Sequence, residues 1–310
     1  MQKILIIKHG SLGDIVSSTA AIKSINNYYN NSSITILTAN NYMYFFKKSN
    51  LCESLIQDNR KGFLNFIIII FKLLVTKFDI IIDLQNSNRS SFYCMFLRIF
   101  SKAKINGTHV FSHYCYKYDK KNPPHVIDGL GKQINLLGIK TIEKPFISWL
   151  LNENFSISEI KNKKYFIINP GCSAKNFIKR WSSKNFAEVC TFLLNKNILP
   201  VVIGAGEDKK TINEIQELES RILNLYGKSP IEVIYNLALN AEGALSNDTG
   251  PAHLIAATNC KLHLVLSSFS NTKSVIPQSN NVTFTQSKLI NEITSESIIK
   301  KIKLFLKNEN

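Results

Sequence analysis

Cysteine is sparse in this sequence and shows no pairing pattern. No two of the six thiols have a C-x-x-C spacing, and they occur at Cys52, Cys94, Cys115, Cys172, Cys190 and Cys260. This distribution disfavours a disulfide framework or a structural zinc site, and it favours free thiols in a reducing compartment. The grouping of His109, His113 and Cys115 lacks an evident fourth ligand, so a structural role in a loop is the simpler interpretation. We therefore expect no metal site and no cofactor.

Two kinds of membrane signal are also missing. The segment 1–5 runs directly into a strand-like stretch, without the apolar core and cleavage site of a signal peptide, so a cytoplasmic protein is expected. The apolar run 63–75 is interrupted by Asn65 and Lys72 and lacks the roughly 20 apolar residues that a spanning helix needs. It is interpreted either as a helix buried against a sheet or as an apolar face that rests on a bilayer.

Acidic residues are scarce, above all in the first half. Residues 1–150 contain 19 Lys and Arg against 8 Asp and Glu, whereas residues 151–310 contain 19 against 14, and the formal net charge is +16. A basic field attracts phosphorylated glycolipids, anionic membranes or nucleic acids. An AT-rich coding background, which enriches Lys, Ile and Asn, is a second explanation. Because no nucleic-acid-binding module is recognisable, nucleic acid is not expected as a partner.

Strand-like runs alternate with helix-like stretches along the chain. In the first half, strands are predicted at 3–8, 34–38, 54–57 and 78–84, and helices at 15–28, 63–77 and 91–101. In the second half, strands are predicted at 165–169, 199–204, 222–226, 244–246 and 262–266, and helices at 183–195, 209–220, 231–239 and 251–258. This alternation predicts an α/β protein with two doubly wound Rossmann-like domains.

The predicted domains cover residues 1–151 and 165–294, which suits a chain of 310 residues of which 45% are hydrophobic. The polar stretch 152–164 is the predicted linker. The segment 295–310 contains an amphipathic helix at 295–307, which is expected to pack back on the first domain.

Two strand-to-helix turns are the most informative parts of the sequence. The first is Gly10-Ser11-Leu12-Gly13-Asp14, and the second is Ser246–His253, in which Pro251 stands where a first helical residue is expected. Open α/β sheets bind ligands at the carboxyl ends of their strands, so both turns are candidate ligand sites.

These turns, in order with three further segments, resemble glycosyltransferase family 9, the bacterial ADP-heptose:lipopolysaccharide heptosyltransferases. The further segments are 78–85, 169–173 followed by Lys179-Arg180-Trp181, and 201–207. The resemblance implies a GT-B fold, in which two Rossmann-like domains face a central cleft. It also implies an inverting, metal-independent hexosyl or heptosyl transfer from ADP-heptose to an anionic glycolipid, the lipopolysaccharide inner core, at the inner face of the inner membrane. The alternative is a related enzyme that uses another nucleotide sugar or another surface-glycan acceptor.

Two residues are candidates for catalysis. Asp14 enters the first helix beside Gly10 and Gly13, which leave room for a sugar, and the resemblance implies that it is the general base. A carboxylate that only complements the helix dipole is the alternative. Lys179 matches the family lysine that neutralises the donor phosphates, and this charge also stabilises a leaving group. Its neighbour Arg180 is expected to point away.

The donor is expected to be held mainly by the second half. The predicted donor-binding residues are Gly13, Ser173, Glu207, Ser229, Asp248, Thr249, Gly250 and His253. Backbone N–H groups at Thr249 and Gly250 suit a diphosphate, and a carboxylate such as Glu207 suits ribose hydroxyls. The resemblance implies that Asp248 contacts the donor sugar. For Ser173, Glu207 and His253, a turn residue, a solvated carboxylate and a core histidine respectively are the open alternatives.

The acceptor is expected to contact Ser11, Arg89 and Lys117 in the first half. Basic side chains suit the phosphates and Kdo carboxylates of such an acceptor. For Lys117, a solvated surface lysine is the alternative. The chain departs from the family pattern at Thr19 and Ser182, where members usually carry proline.

Overall fold

The computed structural model describes residues 1–172 and 179–307. It divides the chain into two compact units, Met1–Trp149 and Leu150–Asn310. Each unit alternates strands and helices around one parallel sheet, as the sequence pattern predicts. The α/β, doubly wound class is therefore confirmed.

The first unit contains a six-stranded sheet in the order β3-β2-β1-β4-β5-β6, and every neighbouring pair is parallel. The strands are β1 (Gln2–Ile7), β2 (Ser32–Ala39), β3 (Ser54–Asp58), β4 (Ile80–Asp83), β5 (Lys104–Gly107) and β6 (Tyr114–Cys115). The helices are α1 (Leu12–Tyr28), α2 (Asn40–Lys47), α3 (Phe63–Thr76), α4 (Asn88–Phe100) and α5 (Val126–Asn135).

The second unit contains another parallel six-stranded sheet, in the order β12-β11-β10-β7-β8-β9. The strands are β7 (Tyr165–Asn169), β8 (Leu199–Gly204), β9 (Leu223–Tyr226), β10 (Ala244–Asn247), β11 (Leu262–Ser267) and β12 (Val282–Ser287). The helices are α6 (Ser183–Leu194), α7 (Lys209–Leu218), α8 (Ile231–Asn240), α9 (Gly250–Ala256), α10 (Thr272–Val275) and α11 (Ser295–Lys307).

The two sheets share one topology. In each unit the first and fourth strands lie side by side, as β1 beside β4 and β7 beside β10, and the strand order reverses between them. Doubly wound sheets bind ligands beyond the carboxyl ends of the strands at this switch point. The turns that follow these four strands are therefore positioned to bind ligands, one set in each unit.

The start of the second unit is fixed by a buried side chain of α8. The Asn236 amide donates to the Leu150 carbonyl oxygen at 2.9 Å, and the Asn152 N–H donates to Asn236 Oδ1 at 3.0 Å. The first residue of the predicted linker, Asn152, is thus hydrogen-bonded to the second unit, and the division falls slightly earlier, between Trp149 and Leu150.

The last helix, α11, packs within the second unit. Its Ile298 and Ile302 are fully buried in one core cluster with Phe186 and Val189 of α6. The expected packing of this helix on the first domain stays a prediction. The contact with α6 is sufficient to bury the two isoleucines, because they are four residues apart and so lie on one side of the helix.

Several elements are present that the sequence pattern did not predict. They are α2, β5, β6, α5, α10 and β12. Of these, β6 has two residues, and α2 follows β2 directly with Ala39 at its N-cap position, which provides no side-chain capping bond. A two-residue strand and a helix without a side-chain cap give a sequence pattern little to detect.

Candidate active site

The turn after β1 is held by the turn after β4. Gln85 Oε1 accepts hydrogen bonds from the N–H groups of His9 at 2.9 Å and Gly10 at 3.2 Å. Gly10 has a φ of +134°, and a Cβ at this position would lie 2.5 Å from a ring carbon of Tyr42. Only glycine suits this backbone conformation and this close approach. Gln85, the last residue of the segment 78–85, and Tyr42 are therefore site residues to which the sequence alone assigned no role.

Asp14 is restrained through one of its two carboxylate oxygens. Its Oδ2 accepts hydrogen bonds from the backbone N–H and the hydroxyl of Ser11, both at 3.0 Å. Ser11 is the exposed N-cap of α1, so this is a capping interaction, as in the alternative interpretation of Asp14. Within the described residues, Oδ1 of the half-buried Asp14 has no hydrogen bond. One oxygen thus caps the helix while the other is available to a ligand.

Lys8 is a buried cation at the end of β1. Its Nζ donates to the Leu84 carbonyl oxygen at 3.2 Å. Burial lowers the pKa of Lys8, while the carboxylates of Asp14 and Asp83 act in the opposite direction. The switch point of the first sheet therefore combines carboxylates with a buried amine.

Arg89 is bound by a buried carboxylate at the end of β3. Asp58 is fully buried, and it accepts from Arg89 Nε at 3.0 Å, Arg89 Nη2 at 3.0 Å and the Tyr93 hydroxyl at 2.7 Å. His9 Nε2 lies 3.2 Å from the same carboxylate. Burial alone would raise the pKa of Asp58, but the contacts with His9, Arg89 and Tyr93 outweigh it and hold that pKa well below its usual range.

This pairing limits what the predicted acceptor residue Arg89 can offer. Two of its three guanidinium nitrogens are engaged by Asp58, and within the described part of the chain Nη1 is the one with no hydrogen-bond partner. A role in acceptor binding stays a prediction that depends on Nη1.

Lys117 is exposed, and the rings of its neighbours Tyr116 and Tyr118 stack with centroids 5.8 Å apart. Its role also stays a prediction.

In the second unit, the structure brings Lys179 and Asp248 together. Lys179 Nζ lies 2.8 Å from Asp248 Oδ2, and the Ser270 hydroxyl donates to the same oxygen at 2.8 Å. The side chains of Lys179 and Asp248 retain 19% and 17% of their exposure, so the pair is largely but not completely shielded from water. A predicted catalytic residue and a predicted donor-binding residue therefore meet, although 69 positions separate them.

Asn247 connects this pair to the end of β7. Its buried amide donates to the Pro170 carbonyl oxygen at 2.9 Å, and its Oδ1 accepts from the Trp181 N–H at 3.4 Å. Trp181 is fully buried, and its Nε1 donates to the Ile293 carbonyl oxygen at 2.8 Å. The tryptophan thereby fixes the segment that carries Lys179.

The next residue, Arg180, is directed elsewhere, as expected. Its guanidinium lies 3.2 Å from Asp208 Oδ1 and donates to the Cys172 carbonyl oxygen at 3.1 Å. Asp208 also accepts from the Cys172 N–H at 3.2 Å, so it connects the loops after β7 and β8. Its neighbour Glu207, the predicted ribose ligand, is exposed in the single turn Gly206–Asp208. Asp208 is thus the inward-facing carboxylate of this turn, and the role of Glu207 stays a prediction.

The remaining predicted donor residues lie at the ends of other strands. Helix α9 begins at Gly250 with Thr249 as its N-cap, so Pro251 is the second helical residue rather than the first. His253 follows on this helix and is half-buried. Ser229 accepts from the Gly204 N–H at 3.3 Å and donates to the Leu225 carbonyl oxygen at 3.1 Å, which connects β8 and β9. Gly13 lies buried in α1, and Ser173 falls outside the described residues.

The cysteines and histidines that the structure describes form no evident metal site. All six cysteines are free thiols. Within residues 1–172 and 179–307, no three His, Cys, Asp or Glu side chains are grouped so that they could hold a metal ion. His113 has a structural contact instead, because its Nδ1 accepts from the Ile105 N–H at 3.1 Å. In the same described ranges, no helix is both long and apolar enough to cross a membrane.

Two doubly wound units, each with polar residues gathered at its switch point, define a protein of the GT-B fold class. The sequence model of glycosyltransferase family 9 (heptosyltransferase) matches residues 69–296, and the chain belongs to this family. It is accordingly a glycosyltransferase, which confirms the resemblance stated from the sequence motifs.

Individual relatives are distant in sequence and similar in fold. The lipopolysaccharide core heptosyltransferase OpsX of Haemophilus influenzae is 22% identical over 294 residues, which are 90% of this chain and 82% of that protein. The structure of ADP-heptose lipopolysaccharide heptosyltransferase II of E. coli superposes with a TM-score of 0.79 at 18% identity and covers 99% of both chains. E. coli heptosyltransferase WaaC with ADP-2-deoxy-2-fluoro heptose gives a TM-score of 0.77 at 15% identity, covering 98% of this chain and 99% of that one.

Proposed function

We propose that this protein transfers heptose, with inversion, from ADP-heptose to an anionic inner-core acceptor of lipopolysaccharide, and that Asp14 is the general base. The observation that carries the proposal is the state of the Asp14 carboxylate at the switch point of the first sheet. Ser11 fixes one oxygen at 3.0 Å, and the other is open to the acceptor hydroxyl. A general base needs this combination of fixed orientation and an available lone pair.

The reaction is a single displacement. The acceptor oxygen attacks the anomeric carbon and its proton passes to Asp14, while the bond from that carbon to the diphosphate oxygen breaks and ADP leaves. Negative charge grows on the departing diphosphate, and Lys179 is the cation available to stabilise it. No metal ion is required in this scheme.

The donor site uses the second switch point. Lys179 is paired with Asp248 at 2.8 Å, and an arriving diphosphate competes with that carboxylate for the ammonium group. Asp248 then turns to a hydroxyl of the donor sugar. The backbone N–H groups of Thr249 and Gly250 add hydrogen bonds to phosphate, and Glu207 binds the ribose.

Purified protein, incubated with ADP-heptose and a deacylated Kdo-bearing core acceptor, tests this function. UDP-sugars are offered in parallel, and the products are identified by mass. A heptose-sized gain on the acceptor is expected. Turnover of another donor without use of ADP-heptose would still support a glycosyltransferase. It would refute ADP-heptose as the donor and the lipopolysaccharide core as the glycan.

The role of Asp14 is tested with a matched pair of variants. Asp14 and Asp128 both occupy the third position of a helix, in α1 and α5 respectively. Asp14→Asn is expected to lower kcat by about 10²–10⁴-fold with donor binding retained, as for loss of a general base. Asp128→Asn removes a carboxylate charge at the same helical position in α5 and is expected to retain activity. Equal activity of the two variants would refute the assignment of Asp14 as the general base.

A further inference from the structure

Helix α3 is apolar on both of its sides. It buries Ile69, Ile70 and Leu73 in the core of the first sheet. Its outer side presents Leu64, Ile68, Phe71 and Val75, which are 77%, 62%, 68% and 61% exposed. These four residues follow a helical spacing and form one stripe. A surface helix normally has a polar outer side, so this stripe requires an explanation other than packing against the sheet.

Helix α4 extends the apolar surface. Its Ile99 and Phe100 are each 64% exposed. Between the two helices, the rings of Phe66 and Phe96 have centroids 6.0 Å apart, and Phe96 in turn stacks on Phe100 at 6.4 Å. The helices therefore form one surface, here called the α3–α4 surface and defined by Leu64, Ile68, Phe71, Val75, Ile99 and Phe100. Exposed apolar patches of this kind mark interaction sites.

The charges around this surface are almost all positive. Neither α3 nor α4 contains an Asp or Glu, whereas Lys72 and Arg98 are exposed on them. Residues 60–104 contain eight Lys and Arg against two Asp, and one of these, Asp83, is fully buried. Long basic side chains place their charge beside an apolar patch while their stems cover it, so their positive field marks an anionic partner.

We propose that the α3–α4 surface docks on a bilayer of anionic phospholipids. Its apolar side chains enter the boundary between headgroups and acyl chains, and Lys72 and Arg98 contact lipid phosphates. A second copy of the chain fits less well, because two-fold pairing would bring these cations against their own counterparts with no acidic residue on either helix. Docking brings the unit that carries Asp14 to the membrane, and only this link to a lipid-anchored acceptor rests on the proposed function.

Sedimentation with lipid vesicles tests the docking. The full chain is mixed with vesicles of phosphatidylcholine alone or with added phosphatidylglycerol, at low and high salt. Binding is expected to require phosphatidylglycerol and to weaken with salt. Ile68→Ser with Phe71→Ser is expected to reduce binding roughly tenfold or more, because apolar insertion is lost. Lys72→Glu tests the electrostatic contribution to vesicle binding and is also expected to weaken that binding.

Matched controls keep the proposal separate from folding and from catalysis. Leu218→Ser with Leu304→Ser also removes two exposed apolar side chains, but in the second unit, and is expected to bind vesicles normally. Transfer to the deacylated acceptor is expected to be unchanged in every variant, whatever donor is found. Equal vesicle binding by wild type and the Ile68/Phe71 variant would overturn the proposal. The proposal would also be overturned if the wild type formed a dimer and the Ile68/Phe71 variant were monomeric, because a second copy of the chain would then cover the α3–α4 surface.

Discussion

Replacement of Asp58 by asparagine is expected to destabilise the first unit strongly. The carboxylate is fully buried and accepts from both Nε and Nη2 of Arg89, from Tyr93 and from Asn65 Nδ2 at 2.9 Å. An amide of the same shape retains part of this hydrogen bonding but cancels the negative charge. The guanidinium of Arg89 is then left without a counter-charge.

The structure sets the size of the effect. Removal of one partner from a buried ion pair costs roughly 3–5 kcal/mol, because the remaining charge is desolvated and uncompensated. Arg89 retains 23% of its exposure and recovers part of its hydration. The expected loss in free energy of unfolding is therefore about 3 kcal/mol, at the lower end of that range. Removal of both charges, in Asp58→Asn with Arg89→Met, is expected to cost less than Asp58→Asn alone.

The loss in free energy of unfolding caused by Asp58→Asn is expected to become smaller as the pH falls. Because the pKa of Asp58 is lowered in the folded state, its stabilisation is complete above its unfolded value of about 3.9. It is lost as the pH falls from there through the folded value. The difference between wild type and Asp58→Asn should accordingly be full at neutral pH and shrink in acid.

Urea unfolding followed by tryptophan fluorescence measures this loss. The chain has two tryptophans, so a Trp181→Phe background leaves Trp149 as the single emitter. Trp149 packs against Phe45 and Phe146 of the first unit, with ring centroids 5.3 and 5.6 Å apart, and therefore reports on that unit. A loss below about 1 kcal/mol, as for a surface ion pair, would refute the reasoning.

Two further variants test the geometry of the switch points. Lys179→Ala is expected to lower kcat/KM by about 10²-fold and Lys179→Arg by less, because a positive side chain here stabilises the charge on the leaving diphosphate. Equal losses of kcat/KM for the two variants in steady-state kinetics would contradict this. Gly10→Ala is expected to destabilise the protein by about 1–3 kcal/mol in thermal unfolding, because its φ of +134° strains any side chain. Tyr42→Ala should relieve only the steric part of that loss, and complete rescue would show that the backbone is not strained.

The repeated βα pattern was sufficient to predict two doubly wound units, because most of the strands and their helices carry their period locally, but it missed β5, β6 and β12. The charge pairs were not predictable in the same way. The sequence assigns Arg89 to the acceptor because a basic side chain suits phosphates and carboxylates, whereas the structure pairs it with Asp58, which lies 31 positions away. These residues become neighbours only after the sheet order places β3 and α4. A helix period contains no information about that order.

Two departures from the family pattern have local explanations in the structure. Thr19 donates to the Val16 carbonyl oxygen at 2.6 Å and accepts from the Phe146 N–H at 3.0 Å. Ser182 is the N-cap of α6, where its hydroxyl accepts from the Asn185 N–H at 3.2 Å. Proline provides no hydroxyl for either interaction. Thr19 and Ser182 therefore lack the fixed φ of proline but form hydrogen bonds within their own unit.

The ion pairs of the two units differ in whether a ligand can exchange with them. Asp58 has no exposure and accepts several hydrogen bonds, so release of Arg89 would leave a carboxylate buried without its counter-charge. Asp248 retains 17% exposure and accepts from Lys179 and Ser270 on one oxygen, so water or a sugar hydroxyl can replace the lysine. A diphosphate that takes Lys179 from Asp248 therefore meets a smaller penalty than an anion that takes Arg89 from Asp58. The first pair is suited to hold structure, and the exposure of the second agrees with the donor-binding role proposed for it.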